Sequence, residues 1–243
     1  MSSSDSMPYL IRAVGDCNTK AGAGLPRSEA FPAKLLDFLQ GLGLHCELDN
    51  LGATMNTSRE GVARLADCAT PADLLLLNFG LVDSWVTSIP WLYISYYPEN
   101  ILKKPARKLL KNFKRRLRSP RLRELVGVGP VVPVEEYRRN LQQMIATERS
   151  RNPSVQVVLW GSVMTRHSPE RDVRLQSYNQ VLQEIAAEAS CVYFDAAPVV
   201  RRWPAERIYV DDVHLSGEAA ALLARELLPE LTLPLLADQR SAA

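Results

Sequence analysis

Short apolar runs alternate along this chain with longer segments of helical spacing. Apolar residues three and four positions apart predict helices at 31–42, 58–66, 134–149, 172–189 and 217–228. Runs of strand length occur at 10–14, 44–48, 73–80, 155–161 and 191–194. The third run is apolar on both faces, as is typical of a buried parallel strand. Strands that alternate with helices in this way predict a five-stranded, mainly parallel sheet covered by helices on both faces.

Glycines and polar residues follow the predicted strands. In a parallel sheet a ligand binds beyond the carboxyl ends of the strands, so these residues define where a site is expected. Asp211 and His214 lie between the last strand and the last helix, and we expect them at the same rim. The other residues expected there are, in chain order, Gly15, Asp16, Cys17, Asn18, Thr19, Gly52, Gly80, Asp83, Gly161, Ser162 and Arg166.

His214 is the candidate general base among only three histidines. A carboxylate, Asp211, precedes it by three positions and can hold the imidazole, whereas His45 and His167 have no carboxylate so placed. A structural interpretation remains open, in which Asp211 or Asp212 forms a turn and His214 packs at the start of the last helix.

Four short motifs, in order and each near a strand end, resemble the blocks of the SGNH/GDSL hydrolase superfamily. They are Gly15-Asp16-Cys17-Asn18-Thr19, Asn50-Leu51-Gly52-Ala53, Gly80-Leu81-Val82-Asp83 and Asp211-Asp212-Val213-His214. The resemblance implies a flavodoxin-like three-layer α/β/α sandwich, a single domain over 8–243, with an insertion at 85–133. Members of this superfamily include esterases, lipases, acetyl-esterases, thioesterases and some acyltransferases.

The resemblance also assigns roles to residues. It makes Cys17 the nucleophile, where the superfamily has serine, with His214 as its base and Asp211 orienting the imidazole. We expect Cys17, beside an imidazole at a helix N-terminus, to be at least partly thiolate. The competing interpretation is a small, buried, inert cysteine.

The oxyanion donors implied by the resemblance are the backbone N–H groups of Cys17 and Gly52. A third donor, an asparagine side chain in the superfamily, is replaced here by Val82, and Asn78 is a candidate substitute. We place five residues around the substrate: Asp16, Gly80, Asp83, Trp85 and Arg166.

The function predicted from these motifs is acyl transfer through a thioester on Cys17. The acyl donor is expected to be an ester or thioester, free or attached to a carrier protein or coenzyme A, and the acceptor to be water, an amine or an alcohol. The alternative is a catalytically degenerate relative that binds an acyl or glycan ligand without turnover. We expect no metal and no cofactor, because the histidines are dispersed and the cysteines do not cluster.

The insertion at 85–133 has an unusual composition. Aromatic residues concentrate between Trp85 and Tyr97, and 11 of the 29 basic residues lie at 103–123, with no acidic residue among them. This predicts an aromatic wall followed by a basic amphipathic helix. The insertion is either a lid or docking surface for an apolar and anionic partner, or a packed segment whose charges are simply solvated.

Candidate partners for this surface are an acidic acyl-carrier protein, the phosphates of coenzyme A, an anionic membrane and an acidic polysaccharide. A net charge of only +2 and the lack of a nucleic-acid motif argue against nucleic acid. The first seven residues do not resemble a secretory signal, no apolar run could span a bilayer, and the four cysteines are not paired in sequence. From these features we predict a soluble, cytoplasmic protein.

Overall fold

The computed structural model describes residues 7–116 and 127–232. Its main sheet has five strands in the order β2-β1-β3-β6-β7, and all of its neighbouring strands are parallel. This confirms the predicted sheet. The seven strands of the described residues are β1 (Tyr9–Gly15), β2 (Cys46–Asn50), β3 (Leu74–Asn78), β4 (Val86–Ser88), β5 (Val128–Pro130), β6 (Gln156–Gly161) and β7 (Val192–Asp195).

Helices cover both faces of the sheet, as the alternating pattern predicts. Helices α2 and α9 pack together on one face, and α3, α5 and α6 cover the other. The helices are α1 (Cys17–Lys20), α2 (Phe31–Gly41), α3 (Ser58–Ala66), α4 (Lys103–Arg116), α5 (Val134–Arg151), α6 (Pro169–Glu188), α7 (Ala196–Val200), α8 (Ala205–Ile208) and α9 (Gly217–Leu227).

The central strand β3 contributes to a separate core on each face of the sheet. Leu74 and Leu76 join the core beneath α2 and α9, whereas Leu75 and Leu77 join the core beneath α5 and α6. Burial of each such leucine is worth about 1.5–3 kcal/mol, which fixes the register of the strand between the two layers.

The start of β2 differs from its prediction. The apolar run begins at Leu44, but the strand begins at Cys46. Gly43 has a positive φ of 87°, and the N–H of Leu44 donates to the Leu39 carbonyl at 3.1 Å. Leu44 therefore belongs to the cap that ends α2, a role that its apolar character does not reveal.

The insertion contains the predicted basic helix, α4, and an unpredicted antiparallel ribbon of β4 and β5. Strands of three residues are too short to produce a periodic pattern, so the sequence gives no signal for the ribbon. Residues 117–126, which include the end of the basic run, and residues 233–243 lie outside the described part. No helix within the described ranges is long and apolar enough to cross a membrane.

Buried Glu60 of α3 anchors the insertion to the domain. Its carboxylate accepts hydrogen bonds from the hydroxyl of Tyr93 and from the backbone N–H of Tyr96, and it closes a capping box with Thr57. The guanidinium of Arg64, also on α3, lies 4.2 Å from the centre of the Tyr97 ring. Part of the aromatic segment therefore packs the insertion onto α3, as the structural interpretation anticipated.

Candidate active site

The turn after β1 places Cys17 at the rim of the sheet. Gly15 ends the strand, and a Cβ there would overlap the Thr19 hydroxyl, so only glycine fits. The Asp16 side chain caps α1 by accepting a hydrogen bond from the N–H of Asn18 at 2.9 Å. Cys17 is thus the first residue of a four-residue helix, at the helix N-terminus where we expect it.

Asp211 and His214 form a hydrogen-bonded pair on the loop before α9. Nδ1 of His214 lies 2.6 Å from Oδ2 of Asp211. Oδ1 of the same carboxylate accepts from the backbone N–H groups of Val213 and His214. Asp211 therefore has the turn role and also holds the imidazole, so the two interpretations of this motif are compatible.

The contacts of Asp211 define the chemistry of the imidazole. Partial burial alone would raise the Asp211 pKa, but the hydrogen bonds from His214 and Val213 hold it below its ordinary value. An ionised carboxylate at Nδ1 keeps that nitrogen protonated, which leaves Nε2 as the proton acceptor of neutral His214.

Asn18 attaches the loop that carries His214 to the turn that carries Cys17. Its Nδ2 donates to the Val213 carbonyl at 3.1 Å, and its Oδ1 accepts from the Leu215 N–H at 3.0 Å. One side chain therefore holds the backbone on both sides of His214. No local sequence pattern indicates this role, because the partners lie almost 200 positions away.

Gly22 completes the support of the imidazole. A Cβ at this position would overlap the His214 ring, so the ring packs directly against the backbone that follows α1. Gly22 is one of 12 glycines, and nothing in its local sequence distinguishes it from the others.

Cys17 is buried, with only 4% of its surface exposed. Its side chain packs in a small apolar cluster with Leu81, Leu175 and Val213. Burial raises the pKa of the thiol, and the negative charges of Asp16 and Asp211 raise it further, against a smaller opposing effect of the N–H groups of Cys17 and Asn18. The prediction of a thiolate is therefore wrong for this conformation, because desolvation outweighs the helix terminus.

The two halves of the predicted triad are close but not joined. The His214 ring makes a hydrogen bond to Asp211. Within residues 7–116 and 127–232, no hydrogen bond links this ring to Cys17. The structure therefore supports the predicted Asp211–His214 pair more directly than it supports Cys17 as the nucleophile.

Two of the three predicted oxyanion donors, Gly52 and Asn78, have other partners. The Gly52 N–H donates to Oδ1 of Asn50 at 2.9 Å. The Asn78 side chain donates to the Trp160 carbonyl at 3.3 Å and accepts from the Thr19 hydroxyl at 3.2 Å. Asn78 therefore links neighbouring strands and the start of α1, which argues against its predicted role as a substitute donor.

Two of the residues predicted to surround the substrate are buried carboxyls. Asp83 is fully buried and accepts from the N–H and hydroxyl of Ser58 and, through its other oxygen, from the Gly80 N–H. Asp16 is equally inaccessible and caps α1. Neither carboxyl can contact a substrate in this conformation, so the prediction is corrected: both are structural, and Gly80, at a φ of +121°, forms the turn that Asp83 supports.

Burial raises the pKa of both carboxyls. The pKa of Asp16 rises to about 7, with the Asn18 N–H opposing the rise and Asp83 adding to it. The pKa of Asp83 rises to about 6, although hydrogen bonds from Ser58 and Gly80 favour its ionised form.

Arg166 and Trp85 have different environments. The guanidinium of Arg166 donates a hydrogen bond to the carboxylate of Glu206 at 3.0 Å, and the backbone N–H of Arg166 donates to the Asp212 carbonyl. The side chain of Arg166, predicted to contact substrate, is thus paired with Glu206, and its backbone supports the loop that carries His214. Trp85 lines a cavity, and its buried Nε1 has no partner within the described residues.

This cavity, of about 550 Å³, lies between the domain and the insertion. Met55 and Val82 form its wall on the domain side, and Trp85 and, from α4, Leu110 and Lys114 line it from the insertion. Its size and mainly apolar wall suit a small-molecule ligand. Cys17 does not line it, but Leu81, which covers the thiol, is adjacent in sequence to Val82.

Comparisons with known proteins agree with this architecture. The sequence pattern of the GDSL-like lipase/acylhydrolase family matches residues 13–222. The structure is similar to that of TesA, at 17% identity and a TM-score of 0.59 over 92% of this chain and 98% of that chain. It is also similar to a lipase/acylhydrolase from Enterococcus faecalis, at 19% identity and a TM-score of 0.60 over 92% of this chain and 97% of that one.

A third similar structure is a catalytic mutant of an acetylxylan esterase from Geobacillus stearothermophilus. It is 19% identical, with a TM-score of 0.60 over 91% of this chain and 93% of that chain. At such identities the likeness concerns the fold. None of the curated proteins compared with this chain matches it by sequence.

Proposed function

Because the chain belongs to the GDSL-like lipase/acylhydrolase family, we propose that it is an acyl-transfer enzyme, an esterase, thioesterase or acyltransferase, in which Cys17 is acylated. The observation that carries this proposal is the Asp211–His214 pair, 2.6 Å apart and attached by Asn18 to the turn that bears Cys17. A base oriented by a carboxylate beside a nucleophile is the arrangement that acyl transfer requires.

The buried thiol gives His214 a defined role. Because the Cys17 pKa is raised, the resting nucleophile is a thiol, and its proton passes to Nε2 of His214 as sulfur attacks the acyl carbon. The protonated imidazole then gives that proton to the departing alcohol or thiol, leaving a thioester on Cys17. Asp211 stabilises the imidazolium, so catalysis depends on this carboxylate more than it would for a preformed thiolate.

The second half of the reaction returns the enzyme to its resting state. His214 takes a proton from water, an amine or an alcohol, which attacks the thioester carbon. The imidazolium then protonates the departing sulfur of Cys17, and the acid, amide or ester is released. A thioester reacts with amines more readily, relative to water, than an oxygen ester does, which makes transfer to an amine compatible with this chemistry.

Substrate entry requires movement of the apolar residues that cover the thiol. Displacement of Leu81 would join the Cys17 pocket to the cavity at Val82, and the cavity would then hold the acyl chain. The unpartnered Nε1 of Trp85 can donate to an oxygen of the ligand. Arg107 and Lys111, also in the cavity wall, favour a donor that carries negative charge, such as the phosphates of coenzyme A or of a carrier-protein prosthetic group.

A second candidate function, ligand binding without turnover, has support of its own. The thiol is buried with a raised pKa, and the Gly52 and Asn78 donors are engaged elsewhere. In this case the cavity would bind an acyl or glycan ligand.

Mass spectrometry of the intact protein distinguishes the two functions. We expect incubation with short acyl thioesters or p-nitrophenyl esters to add one acyl group, and Cys17→Ala to abolish the adduct. Cys46→Ala is the matched control, because Cys46 is also buried but lies in the core beneath α2. His214→Ala should slow acylation by about a thousandfold, since the thiol then lacks its base.

The pattern of adducts decides the outcome. An adduct that persists in Cys17→Ala would place the reaction elsewhere and refute the mechanism. If the wild-type protein forms no adduct but is stabilised against heat by an acyl compound or glycan, ligand binding without turnover is the correct function.

A further inference from the structure

Helix α4 has a second apolar side, which points away from the cavity. Leu102, just before the helix, Leu109 and Phe113 are 74%, 73% and 49% exposed. Their spacing of seven and four positions places them along one side of a helix. Leu109 and Phe113 line an open groove with Ile94 and Ala106, and neither Leu109 nor Phe113 lines the cavity. The groove adjoins the cavity, because Ile94 and Leu110 border both.

Basic residues flank this apolar side. Helix α4 carries eight lysines and arginines and no acidic residue. Among the described residues, its ion pair is that of Arg107 with Glu99, while Lys104, Lys108 and Arg115 are exposed without a carboxylate within 4.0 Å. The remaining chain is acidic, so this positive field is confined to the insertion.

We propose that the outer side of α4 binds the surface of an anionic lipid bilayer. Exposed leucine and phenylalanine between lysines and arginines form the pattern of helices that lie in the plane of the membrane interface. The apolar side chains would enter the region of the lipid headgroups while the cations contact lipid phosphates. Exposed Trp91, in the same insertion, adds a side chain typical of interfaces.

The apolar residues favour a bilayer over an acidic protein. Charge alone would attract either partner, but an acidic surface gives Leu102, Leu109 and Phe113 no apolar environment. A contiguous exposed apolar surface edged by charge is characteristic of an interaction site, and a bilayer satisfies both of its components. This inference does not depend on Cys17 chemistry, and the same helix would place the cavity next to the bilayer.

Vesicle co-sedimentation of the full chain tests the proposal. We expect binding to phosphatidylcholine vesicles that contain about 30% phosphatidylglycerol and at least tenfold weaker binding to pure phosphatidylcholine, with partial loss at about 0.5 M salt. Two double variants separate the components: Leu109→Ser with Phe113→Ser removes apolar area, and Lys104→Gln with Lys108→Gln removes charge. Each should weaken binding about tenfold.

Matched controls come from exposed residues elsewhere. Val173→Ser removes an exposed apolar side chain from α6, and Arg201→Gln with Arg202→Gln removes two exposed cations that follow α7. These variants should bind as the wild type does, and circular dichroism should show that all variants remain folded. Failure to bind anionic vesicles, equal binding to neutral vesicles, or binding unchanged by the apolar variant would overturn the proposal, the last outcome in favour of an acidic macromolecule.

Discussion

The two halves of the candidate site differ in how completely they are built. In the proton-transfer half, Asp211 and Asn18 direct their hydrogen bonds to His214 and its neighbours. In the oxyanion half, Gly52 and Asn78 donate to other partners, and Val82 offers no donor. In the proposed mechanism, the chain has the groups that would move a proton and lacks part of the set that would stabilise a developing oxyanion.

The two halves also differ in the contacts on which their geometry depends, which are local for Asp211 and His214 and long-range for the oxyanion donors. Asp211 and His214 are three residues apart on one loop, so their geometry depends on few contacts. The oxyanion half requires the ends of β2 and β3 to be aligned with the start of α1, and one substitution can remove a donor without disturbing the fold. We therefore expect the oxyanion half to limit the rate of acylation.

Restoring a donor at Val82 should produce the largest effect. If acylation is limited by the missing hydrogen bond, Val82→Asn should raise its rate constant by about a hundredfold, the lower end of the effect of one oxyanion donor. Val82→Leu is the matched control, because leucine resembles asparagine in shape but cannot donate. The measurement is release of p-nitrophenol from an activated ester, and equal rates for the two variants would show that the oxyanion half is not limiting.

The buried carboxyl of Asp16, in the turn that carries Cys17, gives a prediction about stability and pH. Its folded-state pKa of about 7 lies above its unfolded value of 3.8, so its contribution is fully present below about pH 4 and is lost as the pH rises through 7. Each pKa unit corresponds to about 1.4 kcal/mol, which sets an upper limit of about 4 kcal/mol on the loss.

Replacement of Asp16 by asparagine tests this linkage. Asp16→Asn keeps an acceptor for the Asn18 N–H and removes the buried charge, so we expect about 2 kcal/mol of added stability at pH 8, roughly a thirtyfold change in the unfolding equilibrium. Below pH 4 the gain should disappear. Urea unfolding at graded pH is the measurement, with exposed Asp37→Asn as the control, and a gain independent of pH would contradict the assignment.

Replacement of Asn18 should have the smallest of the three effects. That effect reports most specifically on how His214 is positioned. Asn18→Ala frees the backbone on both sides of His214, and we expect about a tenfold fall in the acylation rate constant with little change in substrate affinity. Asn152→Ala is the matched control, because Asn152 also makes two hydrogen bonds to backbone, with Ala72 and Ser154, far along the chain from the site motifs.

Both asparagine variants should lose a similar amount of stability, about 1–2 kcal/mol. Only Asn18→Ala should lose activity, and its pH–rate profile should change because the imidazole is held less firmly. If activity falls in both variants in proportion to their loss of stability, the role of Asn18 is structural only.

The sequence by itself determined the order of the five strands of the main sheet and of the long helices, the parallel sheet, and the spacing of Asp211 and His214. These features depend on the periodicity of apolar positions and on neighbours in the chain, which a single sequence displays directly. The place of Gly15 at the end of the first strand belongs to the same local class. Asp16 does not, because it was predicted to contact substrate and instead caps α1.

Tertiary structure alone decided the state of Cys17 and the fate of the oxyanion donors. Leu81, Leu175 and Val213, from three distant segments, exclude water from the thiol and raise its pKa, against the expectation from its position at a helix N-terminus. Asn78 found its partners on β6 and α1. Desolvation and the choice of hydrogen-bond partners depend on which segments contact one another in the folded protein. The spacing of residues along the chain does not reveal those contacts.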